Sequence, residues 1–390
     1  MSDQSALFLY GTLRHLPLLQ AVAGGDVAAE AAWLVDHVAH RVVGADYPMI
    51  VPKQGWVAEG LLIRPTADQK ARLDFYEGGH GYGVRQLQVN TEDGSCGAEV
   101  YWHGDEMLEP AEPWDLHRWS VLNGPRQTIA AREAIAMFGR QSPRRVQERL
   151  PSLLTRAQAA QNAASPAPTT LRRSAEPSDV EVRTQTVAYA DFFSVEEYRL
   201  RHRKFDGQMS PELHRSVFVS GDAATVLPYD PVRDRVLLVE QFRMGIYGRG
   251  DPQPWSLEAI AGRVDPGETP RETVLREARE EAGLELARLI ELPGAYPSPA
   301  AKTEFVFSFI GIADLPDSAA GTGGMASEDE DIRAHVISFE DLMHLLDTGE
   351  VANGPLALSA LYLARKRPDL QAERQVVFTR KRNEGQKGAG

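Results

Sequence analysis

A single cysteine among 390 residues, Cys96, excludes an intrachain disulfide, and no cysteine-rich spacing around it offers a zinc site. A reducing cytosol is the expected compartment. No apolar run approaches the roughly 20 residues that a membrane helix needs, and no segment reads as a secretion signal. Positive charge is also scarce. With 42 Lys and Arg against 55 Asp and Glu, the net charge is −13. That works against a general nucleic-acid surface, which needs clustered basic groups for phosphate contacts. The one basic run, Arg199, Arg201, Arg203 and Lys204, alternates with other residues as an exposed strand face does. The ten histidines lack zinc-type spacing and are expected to be structural or surface groups. What remains is an ordinary globular composition, 43% apolar and 25% charged, over a length that suggests two folded units.

Residues 262 to 284 read G-R-V-D-P-G-E-T-P-R-E-T-V-L-R-E-A-R-E-E-A-G-L. From Glu272 to Ala282 the residues are good helix formers, so Glu277, Glu280 and Glu281, at i, i+3 and i+4, project from one helical face. Three carboxylates so close repel one another, and a hard divalent cation that takes oxygen ligands relieves the repulsion. Asp265-Pro266-Gly267 makes a turn before the helix, Glu268 adds negative charge at its start, and Gly283 suits a C-terminal cap. The run matches without a gap the Nudix signature, G-x5-E-x7-R-E-U-x-E-E-x-G-U with U apolar. Seven fixed positions at about 6% usage each would coincide by chance in a chain of this length on the order of once in a million. The resemblance implies metal-assisted hydrolysis of a diphosphate linked to another group. It makes Glu277, Glu280 and Glu281 the metal carboxylates, with the Ala261 carbonyl as a further ligand of Mg2+ or Mn2+. Glu281 is also counted among the catalytic residues, and Arg276 with Glu268 would brace the set.

The flanks narrow the resemblance. Asp191-Phe-Phe-Ser, Tyr198-Arg-Leu-Arg-His-Arg, Gly207-Gln-Met-Ser, Leu227-Pro-Tyr-Asp-Pro-Val-Arg-Asp, Glu240-Gln-Phe-Arg, Trp255-Ser-Leu-Glu-Ala-Ile-Ala-Gly and Ser327-Glu-Asp-Glu-Asp-Ile-Arg follow one another as in bacterial ADP-ribose pyrophosphatases. Pro299, sixteen residues beyond Gly283, fits that group too. The resemblance implies that Phe192 stacks on the adenine and that Arg215 and Arg243 contact the nucleotide. It makes Glu328 the general base and Glu330 a loop carboxylate that joins the metal site. The expected products are AMP and ribose 5-phosphate, from a homodimer with swapped N-terminal strands. Another ADP-sugar or dinucleotide as substrate, or a nucleotide-sensing or resistance role, are the alternatives. One departure is Ser298-Pro-Ala-Ala-Lys-Thr-Glu304, where relatives commonly carry Ser-Pro-Gly-Gly. Alanines enter positive φ only at a cost, so a different loop path is expected.

Near its start the chain reads Leu7-Phe-Leu-Tyr-Gly-Thr-Leu-Arg14, an apolar strand running into a turn. Tyr47-Pro48-Met-Ile-Val, Val57-Ala-Glu-Gly60-Leu-Leu, Leu73-Asp-Phe-Tyr-Glu77-Gly and Tyr82-Gly-Val-Arg85-Gln-Leu-Gln-Val follow in the order seen in γ-glutamylcyclotransferase-like (AIG2-like) proteins. This resembles that family over about residues 5 to 120. It implies that the Tyr10-Gly11-Thr12-Leu13 turn holds the glutamyl part of a ligand and that Glu77 is the catalytic carboxylate. Gly78-Gly79-His80-Gly81 is about one residue longer than the common pattern. A noncatalytic module that binds a glutamyl-like ligand is the alternative.

The expected organisation is an α+β or α/β protein of two domains. Residues 1–135 would form a mixed, β-barrel-like γ-glutamylcyclotransferase-like fold. Residues 136–177 would comprise short helices and an Ala/Pro-rich linker, mobile from about Arg156. Residues 178–378 would form a Nudix α/β/α sandwich with a mixed sheet, and 379–390 a fraying tail.

Overall fold

Residues 5–103, 108–165, 167–324 and 331–387 are described by a computed structural model, in which the chain divides between Arg215 and Ser216 into two units. The first opens with β1 (Leu7–Leu9), a 3-10 turn at Thr12–Arg14, α1 (Leu16–Ala23), β2 (Ala29–Val42) and β3 (Pro48–Ile63). It continues through α2 (Ala67–Gly79), β4 (Tyr82–Thr91), β5 (Gly94–His103) and β6 (Pro110–Pro113), then α3 (Leu116–Leu122), α4 (Gly124–Ala136), α5 (Pro143–Gln147) and α6 (Leu150–Ala163). The hairpin β7 (Val180–Ala190) and β8 (Ser194–His202) completes it, and β9 (Leu213–Val219) carries the chain across the division.

Strands pair in the order β3-β1-β5-β4-β2, and β2 pairs again with β3, so the sheet closes into a five-stranded barrel with β6 at its edge. Alternation along β1 sorts its side chains. Phe8 and Tyr10 join Leu34, Ile50, Leu62 and Val100 in one core, whereas Leu7 and Leu9 meet Leu18, Leu73, Trp119 and Leu153 of the surrounding helices in another. Gly60 is required by this closure: a Cβ there would fall 2.3 Å from the Phe8 ring and 2.6 Å from the Leu9 carbonyl oxygen. Helix α6 runs to Ala163, so the alanine-rich start of the expected linker is helical, in keeping with the high helix propensity of alanine.

The second unit contains β10 (Ala223–Asp230), β11 (Arg235–Phe242), α7 (Met244–Arg249), β12 (Trp255–Glu258), β13 (Ile260–Arg263), α8 (Pro270–Ala282), β14 (Arg288–Ala295) and β15 (Val306–Ile312). It ends with β16 (Gly321–Gly323), β17 (Ile332–Ser338), α9 (Phe339–Thr348) and α10 (Gly354–Lys387). A mixed sheet runs β14-β15-β10-β11-β17-β16, with β12 beside β11 and β13 beside β10; β10 and β15 are parallel. A hairpin forms at Asp230-Pro-Val-Arg-Asp234, pairing Tyr229 with Val236. One face of the sheet, through Ala224, Val226 and Leu237, packs on Val274 and Ala278 of α8. The other, through Leu227, Tyr229 and Leu238, packs on α9 and α10 at Phe339, Leu342, Leu356 and Leu363. The result is the α/β/α sandwich expected from the sequence. Helix α10 continues to Lys387, through part of the tail expected to fray, where Arg, Lys, Glu and Gln favour helix.

Candidate functional site

Two places gather chemistry, one in each unit. In the second, Thr269 caps α8: its hydroxyl accepts from the Glu272 amide, and the Glu272 carboxylate accepts from the Thr269 amide at 2.8 Å. Gly283 ends the helix with φ 61. Between these caps Arg276 forms a hub. Its Nε and Nη2 each donate to Glu268 at 3.0 Å, while Nη1 donates to Glu277 at 2.7 Å and to Glu280 at 2.9 Å. The guanidinium holds the Glu268 carboxyl below the usual carboxylate range, and the surrounding carboxylates raise the affinity of Arg276 for its proton. The expected brace is therefore present, and it extends to two of the three expected metal carboxylates.

The third, Glu281, is only 2% exposed. A carboxylate is rarely buried so deeply without compensation, and a cation is the strongest form of it. Gly262, beside Ala261 on β13, leaves a cradle that a side chain would fill: a Cβ there would lie 1.7 Å from Oε1 of Glu277. Among the described residues no three acidic, histidine or cysteine side chains are grouped so as to hold a metal ion, and Arg276 engages Glu277 and Glu280. The donor set nevertheless fits a hard divalent cation, since Glu277, Glu280, Glu281 and the Ala261 carbonyl all offer oxygen. Glu328 and Glu330 lie outside the described residues. The strand leading to them, β16, presses on the end of α8, where a Cβ on Gly323 would fall 2.2 Å from the Glu281 carbonyl oxygen.

The nucleotide contacts expected from the sequence are distributed along the chain. Arg243, at the start of α7, makes a two-pronged ion pair with Glu258 at 3.1 and 2.6 Å. Glu258 is 6% exposed and was not singled out from the sequence, although it belongs to the quoted Trp255-Ser-Leu-Glu run. Arg215 is exposed, at the end of the first unit, and Phe192 is on the turn of the β7–β8 hairpin. The basic run is paired with acids, Arg199 with Glu212, Arg203 with Asp179 and Lys204 with Asp206, as a solvated strand face should be. The Ser298-to-Lys302 segment makes a tight turn in which the Ala301 and Lys302 amides donate to the Ser298 carbonyl, and neither alanine needs positive φ.

In the first unit, a cleft opens beside β1 and α2. Its wall includes the whole Tyr10-Gly11-Thr12-Leu13 turn, and Glu77 faces the same space from the last turn of α2. Thr66 and Gln69 form a reciprocal cap that fixes the start of this helix. Gly11 is needed for close approach, since a Cβ would meet Pro48 at 2.9 Å. Tyr47, Tyr76, Tyr82 and Tyr101 complete an aromatic enclosure, with Tyr82 donating to the Pro48 carbonyl at 2.7 Å and Tyr101 to Asp74 at 2.9 Å. Burial among these rings pushes the Glu77 carboxyl up to about 8. It lowers the His80 imidazole to about 4, with help from His103. A carboxyl that titrates near neutrality can take and return a proton at ordinary pH. Of this lining the runs quoted from the sequence already held the turn, Tyr47, Pro48, Tyr76, Glu77 and Tyr82. Tyr101, on β5, lay outside them.

The NUDIX domain family model matches residues 219–357, and the family model described as gamma-glutamyl cyclotransferase, AIG2-like, matches residues 7–120. The ADP-ribose pyrophosphatase of Escherichia coli (strain K12) is 40% identical over 186 residues, which are 48% of this chain and 88% of that protein. The ADP-ribose pyrophosphatase of Haemophilus influenzae is 34% identical over 195 residues, 50% of this chain and 89% of that one. A GDP-mannose pyrophosphatase of Enterobacter sp. (strain 638) is 34% identical over 149 residues, 38% of this chain and 76% of that one. Among the described residues no helix is long and apolar enough to cross a membrane. With the capped acidic helix in place and most of each relative's length covered, the chain belongs to the Nudix hydrolases, alongside the ADP-ribose pyrophosphatases, and joins that domain to an AIG2-like gamma-glutamyl cyclotransferase domain.

Proposed function

We propose that the Nudix half hydrolyses the diphosphate of ADP-ribose to AMP and ribose 5-phosphate with Mg2+, for which Mn2+ can substitute. The observation that carries this reading is the acidic face of α8, braced by Arg276, in a segment 40% identical to an ADP-ribose pyrophosphatase. The bound cation supplies a Lewis acid that polarises phosphoryl oxygen and water. Glu277, Glu280, Glu281 and the Ala261 carbonyl hold it, and Glu330 joins them. Arg276 keeps Glu277 and Glu280 in place, and Glu328 takes the proton of the attacking water. Phe192 stacks on the base while Arg215 and Arg243 contact the nucleotide, in a cytoplasmic homodimer with exchanged N-terminal strands. The test is a substrate panel of ADP-ribose, GDP-mannose, another ADP-sugar and a dinucleotide, each with Mg2+. ADP-ribose should give the highest kcat/KM, with AMP as product. Absence of AMP from about pH 7 to 9.5, a range bracketing useful general-base activity, overturns the reading.

The aromatic cleft favours a second activity for the first domain. Glu77 takes a proton from the α-amino group of a γ-glutamyl compound as that nitrogen attacks the γ-carbonyl. It then gives the proton to the departing amine, so that the γ-amide bond breaks and 5-oxoproline forms. The Tyr10-Gly11-Thr12-Leu13 turn holds the glutamyl portion. Release of 5-oxoproline from γ-glutamyl amines or dipeptides by wild type, and its loss in Glu77→Gln, is the check.

A further inference from the structure

Helices α5 and α6 and the β7–β8 hairpin lie between the two matched stretches, in residues that neither family model spans. The hairpin turn, Asp191-Phe192-Phe193, is held by arginines of those helices and of the link between them. Arg149 donates through Nη2 to Asp191 at 2.8 Å and through Nη1 to the Ala190 carbonyl, and its Nη1 also reaches Gln141 at 3.1 Å. Arg156 donates to the Phe192 carbonyl at 3.2 Å. Its own guanidinium is clasped by Glu133 at 3.1 Å, and these two side chains are 4% and 15% exposed. Arg145 lies 3.7 Å from Asp191. Within the turn the Asp191 amide donates to the Phe193 carbonyl at 2.8 Å, Ser194 is fully buried, and Ala190 packs on the helical core. The backbone of this turn is thus fixed from residue 190 to residue 194.

What so firmly held a turn presents is apolar. Phe192 is 53% exposed and Phe193 36%, with their rings edge to face at 4.7 Å. An isolated hairpin tip would sample many conformations, and binding a ligand through it would have to order them. Here the ordering is done in advance by buried guanidinium groups. A flat aromatic partner is the ligand chemistry that an exposed, rigid ring recognises best.

We infer that Arg149 and Arg156 are positioning residues that pre-organise the Phe192–Phe193 turn as a stacking platform for a planar nucleobase. Affinity for the nucleotide, and not the rate of phosphoryl transfer, therefore depends on them. The inference rests on the reading that Phe192 contacts the nucleotide. It adds residues from outside both family matches.

The experiment uses full-length protein carrying Arg149→Ala, Arg156→Ala, Arg149→Lys or Phe192→Ala. Each variant is assayed for ADP-ribose hydrolysis, for AMP binding by calorimetry, and for amide exchange across residues 188–194. Arg149→Ala and Arg156→Ala should raise KM and the AMP Kd about three- to tenfold, leave kcat within about twofold, and speed exchange at the turn. Arg149→Lys should restore part of the loss, since an ammonium reaches Asp191 without the planar fork. If Phe192→Ala weakens the nucleotide while both arginine variants bind it normally with a loosened turn, the positioning role is overturned and the nucleotide contact stands. If Phe192→Ala binds normally, the contact itself is overturned and the inference falls with it. Should an alanine variant fail to fold, Arg149→Lys carries the test, and wild-type affinity with faster exchange refutes it.

Discussion

Replacing Gly262 by alanine should disable the pyrophosphatase while leaving the fold intact. The added Cβ would lie 1.7 Å from Oε1 of Glu277, 2.1 Å from its Cδ and 2.6 Å from its Cγ. Regaining ordinary contact requires the carboxyl to retreat by roughly 1.5 Å or more. Glu277 cannot shift alone, because its Oε1 is fastened at 2.7 Å to Arg276, which also secures Glu268 and Glu280. Misplacing a reacting group by about 1 Å can cost on the order of 100-fold, so kcat/KM for ADP-ribose should fall by that factor. Gly262 has no positive φ, so alanine fits the backbone. The clash falls on a side chain and not on backbone, so the protein should still fold, with a loss of stability on the order of 1–3 kcal/mol for the overpacked site. AMP formation with Mg2+ measures the first quantity and thermal unfolding by circular dichroism the second. A folded Gly262→Ala protein that keeps more than about a third of wild-type kcat/KM would refute the idea that Glu277 must occupy this cradle.

In the cleft, 5-oxoproline release should rise about tenfold per pH unit below about 8, where Glu77 ionises, and level off above; a flat profile contradicts a catalytic Glu77. The same group bears on stability. Because the folded state raises this carboxyl from 4.5 to about 8, it keeps a proton that the unfolded chain releases. That contribution is whole below the lower value and lost as pH climbs from there through the higher one, so Glu77→Gln should flatten the fall in urea midpoint between about pH 4.5 and 8. Thr269→Ala removes the reciprocal cap of α8 and should lower stability by about 1 kcal/mol, read from denaturant unfolding; no change would mean that the cap is dispensable. Chelation should stop AMP release without altering the far-ultraviolet spectrum, and added Mg2+ should restore it.

The strongest local patterns were the most legible. The spacing of Glu277, Glu280 and Glu281, the turn at Asp265-Pro266-Gly267 and the cap at Gly283 are all written within one helix and its flanks, and each took the expected form. The hairpin around Asp230–Asp234 is also written locally, because its turn residues interrupt two apolar runs. Closure of the first domain into a barrel was readable only through resemblance, since it depends on β1 pairing with both β3 and β5 across long stretches of chain. The depth at which Glu281 is buried, the Arg243–Glu258 pair and the tyrosine enclosure of Glu77 are products of tertiary packing and leave no periodic trace. Helix α6 replaced the start of an expected linker because the same alanines that cannot build a core are the best helix formers.

We propose, then, that one chain carries two separable chemistries, metal-dependent cleavage of a nucleotide diphosphate at α8 and glutamyl cyclisation at the Glu77 cleft. Parallel assay of Glu281→Gln and Glu77→Gln for AMP from ADP-ribose and for 5-oxoproline from γ-glutamyl compounds separates them. The prediction is a crossed result, with Glu281→Gln folded and unable to release AMP, and Glu77→Gln releasing AMP normally and no 5-oxoproline. Near-normal AMP formation by Glu281→Gln, or 5-oxoproline release that persists in Glu77→Gln, would contradict it.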